Sequence, residues 1–298
     1  MNAMNGQVAG PATVTAPAPG FSAASKVRSL GDGTFTADLS PDWTVGNRPH
    51  GGFLLALLSR TALQVAGSGS DGTGGAGGVE ALDPLAVSAQ FLRSPEIGPV
   101  LLRTEVRKFG RTAAVIAVNL EQRGSSCVES VITVGRMVED APAWTDLPDV
   151  PAKPPADALD LATVPGAAAF KLSRTCEVRL DQSNTGFLHG RAGDPLRLRM
   201  WARPRGEHPD VLFGLVAGDI SMPVTLNLGR YGWSPTVQLT ALLRGRPAPG
   251  WLRVEVGCRA VYGQWFDEDA IVIDSAGRLI CQSRQLALTP IERAAGAG

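Results

Sequence analysis

Runs of β-branched and small apolar residues, broken by short polar turns, occur twice along the chain, and an apolar stretch of helical length precedes each. Gly52–Val65 (GFLLALLSRTALQV) is apolar on nearly every face, which predicts a helix buried all round. Its counterpart, Pro209–Gly218 (PDVLFGLVAG), is a weaker helix former because Gly214 and Gly218 cost propensity. After the first helix, Thr112–Glu121 and Val128–Val134 flank the turn Gln122-Arg123-Gly124-Ser125. After the second, Ala270–Asp274 and Leu279–Leu288 flank Ser275-Ala276-Gly277. Both read as antiparallel hairpins. A buried helix followed by an antiparallel meander, twice over, predicts an α+β protein with a sheet wrapped around each helix.

The two passages are copies of one another. Leu92-Arg93 matches Leu243-Arg244, Leu102-Arg103-Thr104-Glu105-Val106 matches Leu252-Arg253-Val254-Glu255-Val256, and Gly124 matches Gly277 in the following turn. The offset of about 150 residues marks an internal duplication, not a short solenoid repeat. The expected organisation is a disordered tail over 1–24, one domain over 25–140, a Pro-rich linker over 141–170, a second domain over 171–292 and a tail over 293–298. The prolines between Ala141 and Pro165 oppose both helix and central strand. Gly67–Gly78 (GSGSDGTGGAGG) predicts a flexible loop.

Composition narrows the function classes. Of 298 residues, 28 are Lys or Arg and 28 are Asp or Glu, a balance that argues against a nucleic-acid partner. The cysteines Cys127, Cys176, Cys258 and Cys281 have no paired metal-ligand spacing and read as reduced, so neither a metal nor another cofactor is expected. No segment reads as a signal peptide or a membrane span, which predicts a cytoplasmic protein without a membrane partner. Gly67-x-Gly69-x-x-Gly72 matches a dinucleotide fingerprint only as text, since it follows a helix instead of a strand. A G-x-S-x-G elbow is missing, which counts against an α/β-hydrolase.

Within the second copy, Asp219 follows the uncharged stretch VLFGLVAG, and an ionised carboxylate in such a setting needs partners. The alternative is an Asp that caps the helix end or pairs with an Arg. In the first copy, His50-Gly51-Gly52 stands at the start of the apolar helix, where free N–H groups favour an anion and glycine lets a ligand approach the backbone. The alternative there is a capping Asn47 or His50 beside glycines that relieve crowding. Arg93, Arg103, Arg107, Lys108, Arg111, Arg244, Arg246, Arg253 and Arg259 make the meanders locally basic. They read either as a solvated strand face or, in part, as contacts to phosphates.

The layout is that of a tandem double hotdog. The passages GDISMPVTLNLGRYGWSPTVQLTALLRGRP and RLICQSRQLALTP resemble the acyl-CoA thioesterase II family, over about Phe35 to Pro290. In that family an Asp, a Thr and a Gln hold the hydrolytic water. The resemblance carries these roles to Asp219, ahead of Met222-Pro223-Val224, to Thr236 and to Gln285. It also implies that the backbone at His50, Gly51 and Gly52 binds the thioester carbonyl oxygen. Gln238 departs from the acidic residue expected two positions after the Thr, which leaves the substrate class open. Aligning the copies sets Leu85 opposite Thr236 and Ile132, within one position, opposite Gln285, so only one copy carries the polar pair. The apolar helix with Phe213, Met222 and Trp233 is expected to line an acyl tunnel.

The implied activity is hydrolysis of an acyl-CoA to free coenzyme A and a carboxylic acid, within lipid metabolism. One alternative is a hotdog pair that binds an acyl group or acyl-CoA without turning it over. Another is a hotdog hydratase or dehydratase, whose chemistry relies on an Asp/His pair; no histidine is expected beside Asp219, and His189 and His208 read as surface residues. Further homo-oligomerisation of the fused pair stays open.

Overall fold

The computed structural model describes residues 18–69, 82–164 and 166–290. The expected loop over Gly67–Gly78 falls mostly outside them, as do most of the expected N-terminal tail and all of the C-terminal one. The first apolar segment forms α2, Gly51–Gly69, so Gly67–Gly69 belong to the helix and not to the loop. Phe53, Leu54, Leu55, Ala56, Leu57 and Leu58 are consecutive and all buried, as a helix enclosed on every side requires. The second segment forms α3, Val211–Ala217, capped by Asp210, whose carboxylate accepts the Phe213 N–H at 2.7 Å.

Among the described residues, all but two of the strands join one antiparallel sheet of 14 strands. The first half contributes β1 (Arg28–Gly31), β2 (Thr34–Leu39), β5 (Asp83–Phe91), β6 (Gly98–Phe109), β7 (Ala113–Gln122) and β8 (Ser125–Gly135). The second half contributes β9 (Leu159–Asp160), β10 (Cys176–Leu180), β11 (Arg197–Pro204), β12 (Thr236–Leu243), β13 (Leu252–Gly257), β14 (Val261–Tyr262), β15 (Trp265–Ile273) and β16 (Leu279–Leu288). Outside the sheet, β3 (Thr44–Val45) and β4 (Arg48–Pro49) form a small hairpin leading into α2.

The spatial order is β1-β2-β6-β7-β8-β5 in one half and β12-β16-β15-β13-β11-β10-β9 in the other. Read outward from the centre the two orders correspond strand for strand, with β9 as an extra edge. The halves join where β5 pairs with β12, Gln90 facing Gln238 and Ala86 facing Leu242. Midway along that seam Ser88 Oγ meets Thr240 Oγ1 at 3.0 Å, 152 residues apart. The repeat offset at the seam is the same 152, so Ser88 and Thr240 are each other's counterparts and sit on a local pseudo-twofold axis. The sheet curls around α2 and α3, which pack on one another. This is the double hotdog architecture.

Several boundaries differ from the sequence reading. Phe21–Ala24 forms a helical turn, α1, and Phe21 is buried against Trp43 and Phe213, so the expected tail over 1–24 ends earlier than its composition suggests. The segment 141–170 is not a free linker. Val150 is buried, the Val150 carbonyl accepts from Arg253, the Pro151 carbonyl accepts from Trp201 Nε1 at 2.7 Å, and β9 extends the sheet. Matching bulges in the two halves also correct the repeat alignment. The register slips between Pro84 and Ala86 and between Thr236 and Gln238, which sets Pro84, not Leu85, opposite Thr236. Ile132 does stand opposite Gln285. Among the described residues no helix is long and apolar enough to cross a membrane.

Candidate active site

The amino end of α2 leaves backbone N–H groups without intrahelical partners, and the two halves supply acceptors for two of them. His50 Nδ1 accepts the Phe53 N–H at 3.3 Å. Asp219 Oδ2, just past α3, accepts the Gly52 N–H at 2.6 Å. The approach needs glycine. A Cβ on Gly52 would lie 2.4 Å from the Leu215 carbonyl oxygen, and one on Gly51 would lie 2.7 Å from Asp219 Oδ2. The alternative reading of this motif thus describes part of it: His50 caps, and Gly52 relieves crowding where the helices meet.

The Asp219 side chain is 9 % exposed, and His50 Nε2 lies 3.6 Å from Oδ2. Burial pushes the Asp219 carboxyl above the usual range, while His50 and the Gly52 N–H pull it back. A histidine does stand beside Asp219, contrary to the expectation. Both ring nitrogens are occupied, however. Nδ1 takes the Phe53 N–H, so Nε2 carries the proton and donates it to the Asp219 carbonyl at 2.8 Å.

On the sheet, Thr236 begins β12 and Gln285 lies on the neighbouring β16. Thr236 Oγ1 donates to Gln285 Oε1 at 2.6 Å, and Gln285 Nε2 donates to Glu268 Oε2. Glu268, on β15 opposite Gln285, is 4 % exposed. Its other oxygen accepts the Val224 N–H at 3.0 Å, and Ser221 Oγ donates to Oε2 at 3.4 Å. Burial, reinforced by nearby Asp219, pushes Glu268 up to about 7 against those donors. Sequence reasoning missed it inside the charged run Asp267-Glu268-Asp269. The available signal was parity: Phe266, Ala270 and Val272 are buried on the face that Glu268 shares.

Asp219, Thr236, Gln285, Glu268, His50 and Gly51 line one pocket of about 360 Å³. Leu54, Phe91, Trp233 and Phe266 add apolar walls, and Arg48 and Arg93 also border it. Arg48 lies over the Trp233 ring at 5.0 Å. Ser234 Oγ, on the same wall, is buried with no hydrogen-bond partner among the described residues. Of the expected tunnel residues, Trp233 lines the pocket; Phe213 is instead in the core, edge-on to Phe21. Several of the basic residues singled out in the meanders are committed elsewhere: Arg103 to Glu121, Arg107 to Glu105, Arg246 to Asp83 and Glu139, and Arg253 to backbone carbonyls. Among the described residues no group of three His, Cys, Asp or Glu side chains is arranged to hold a metal ion.

The double hotdog fold and the domain models it matches place the chain in the class of hotdog thioester hydrolases. The chain belongs to the acyl-CoA thioesterase family: the model described as the acyl-CoA thioesterase N-terminal domain matches residues 39–135, and the C-terminal domain model matches 140–289. Uncharacterized proteins of Mycobacterium tuberculosis and Mycobacterium bovis are 38 % identical over 275 residues, covering 87 % of this chain and 91 % of theirs. A Thermobifida fusca protein assigned as thioesterase II is 27 % identical with a TM-score of 0.78, covering 92 % of this chain and 100 % of its own. An acyl-CoA thioesterase II of Mycobacterium marinum shares the fold at 16 % identity and a TM-score of 0.67, covering 91 % of this chain and 98 % of its own.

Proposed function

We propose that the chain hydrolyses acyl-CoA thioesters in the pocket at the joint, with Asp219 as general base and Thr236 and Gln285 as holders of the water. The observation that carries this reading is the Gly52 N–H bond to Asp219, which brings a carboxylate of one half to the helix start of the other. Asp219 Oδ2 is engaged by that bond, which leaves Oδ1 to take the proton. Thr236 has one hydroxyl proton and gives it to Gln285, so toward the pocket it offers lone pairs. A water that donates one hydrogen to Asp219 and the other to Thr236 presents a lone pair to the thioester carbon.

Attack forms the carbon–oxygen bond, passes the water's proton to Asp219 and places negative charge on the former carbonyl oxygen. The Gly52 N–H is occupied by Asp219, so the Gly51 N–H is the donor left for that oxygen, while Gln285 acts on the water through Thr236. Such a donor is worth roughly 3–4 kcal/mol in comparable sites. Collapse breaks the carbon–sulfur bond. A thiolate whose conjugate acid has a pKa of about 8.5 leaves without a strong acid, and Asp219 returns its proton. Arg48 and Arg93 are the cations placed to meet coenzyme A phosphates outside the pocket.

The hydratase alternative gains a histidine beside the carboxylate, but both ring nitrogens of His50 are held by backbone groups. Release of free thiol from a panel of acyl-CoAs, run beside hydration of enoyl-CoAs, tests the assignment. Thiol release with no hydration is the expected outcome. Hydration without thiol release would reverse it.

A further inference from the structure

We propose that Glu268 is a positioning residue that sets the direction of the hydrogen-bond chain Glu268–Gln285–Thr236, and so makes Thr236 an acceptor toward the attacking water. The inference rests on the hydrolytic reading above. An amide has two different ends, and which end faces which neighbour is decided by the neighbours. The Val224 N–H can only donate, so it holds one Glu268 oxygen as an acceptor at 3.0 Å. The other, ionised oxygen can only accept. It therefore draws the Gln285 amide nitrogen and turns Gln285 Oε1 toward Thr236, which must donate to it. The threonine proton is thereby spent inside the protein.

With a proton on Glu268 Oε2 the chain reverses. Glu268 donates to Gln285 Oε1, Gln285 Nε2 donates to Thr236, and the freed Thr236 O–H points at the water. It would then bond the lone pair that must attack. The groups facing Glu268 are Asp219 beyond α3, Cys258 after β13, and Ser221 and Val224 between α3 and β12. His50 stands 3.6 Å from Asp219, and Asp267 and Asp269 point to the opposite face of β15. Burial and, after it, the neighbouring Asp219 charge favour a proton on Glu268, so the reversal falls near neutral pH.

The test uses three variants of the full chain, with thiol release and pH profiles as readouts. In Glu268→Gln the Val224 N–H still needs an acceptor, so the new amide turns its oxygen there and its nitrogen toward Gln285, which locks the reversed direction. The expected result is a fall in kcat of about 30-fold or more with KM within about threefold. The double variant Glu268→Gln/Gln285→Glu puts an acceptor-only group next to Thr236 again and should recover about tenfold over the single variant. A residue that served packing alone would not give that rescue. In wild type the acid limb of kcat should be steeper than one proton, and it should become a one-proton limb in Glu268→Gln. A single variant within about threefold of wild-type kcat, or a double variant no faster than the single, would overturn the proposal. If Glu268→Gln does not fold, a one-proton limb in wild type overturns it as well. Asp219→Asn separates the two readings. If Asp219→Asn is inactive and Glu268→Gln is fully active, only the Glu268 role fails; if Asp219→Asn is fully active, the hydrolytic reading itself fails.

Discussion

Asp219 and Gly52, 167 residues apart, are joined by a 2.6 Å hydrogen bond in which the second half caps the helix of the first. The carboxylate is thus aimed by a backbone group and not by a mobile side chain. Asp219→Asn keeps the shape and removes the base. Turnover should drop by about 10²–10⁴-fold while acyl-CoA binding is nearly kept. Parallel measurements of thiol release and equilibrium binding on one preparation check this; full turnover would remove Asp219 from the base role.

The adjacent glycines should separate folding from chemistry. Gly52→Ala drives a Cβ into the Leu215 carbonyl at 2.4 Å and the Val216 Cα at 2.9 Å, both backbone atoms that cannot rotate away. A loss of about 1–3 kcal/mol or more in unfolding free energy is expected. Gly51→Ala meets chiefly the Asp219 carboxylate, with the Phe91 ring at 3.4 Å, and both side chains can shift. That variant should keep most of its stability and lose activity. Urea denaturation beside turnover distinguishes the two, and equal stability losses would contradict it.

Glu268 should also write a pH dependence into stability. Its folded pKa of about 7 lies above the ordinary 4.5, so between those values the folded chain keeps a proton that the unfolded chain has released. Stability therefore falls as pH rises from 4.5 toward 7 and flattens above, by roughly 1–3 kcal/mol. Glu268→Gln should remove that slope. Denaturant midpoints at pH 5 and pH 8 for both proteins decide it, and identical slopes would rule it out.

Arg93 borders the pocket without being part of the proposed water-holding set. Arg93→Ala should raise KM for an acyl-CoA by about 3–10-fold, more at low salt than at high. It should leave KM nearly unchanged for a short acyl thioester that lacks the nucleotide. Equal effects on both substrates would place Arg93 away from the phosphates.

Much of this molecule was legible in the chain because its period is legible. The helix from Gly52 and the strand Leu279–Leu288 follow directly from apolar run length and turn residues, and the copy-to-copy match separated the two halves. The alignment slipped by one residue at Leu85 because the two Leu-Arg pairs that set it are not structural counterparts: the Leu92 and Arg244 N–H groups make the equivalent bonds, to the Cys127 and Ile280 carbonyls. His50 beside Asp219 and the Phe21 anchor were hidden for another reason. Both contacts join segments far apart in sequence, and only the folded geometry brings them together. Glu268 was readable by parity, yet its charged neighbours made the strand resemble a solvated one.

The seam through Ser88 and Thr240 has a consequence during synthesis. A ribosome finishes the first half about a hundred residues before β12 emerges, and at 5–20 residues per second that interval lasts for several seconds or more. Throughout it, β5 has β8 on one side and nothing on the other, although in the finished protein it lies in the middle of the sheet. Polar residues such as Ser88 and Gln90 along its outer face do not blunt a bare backbone edge. The nascent chain therefore carries an open strand that any identical nascent chain on the same message could complete, with β5 pairing to β5 in place of β12. Correct assembly of this fused pair is a race between its own second half and its neighbours on the polysome.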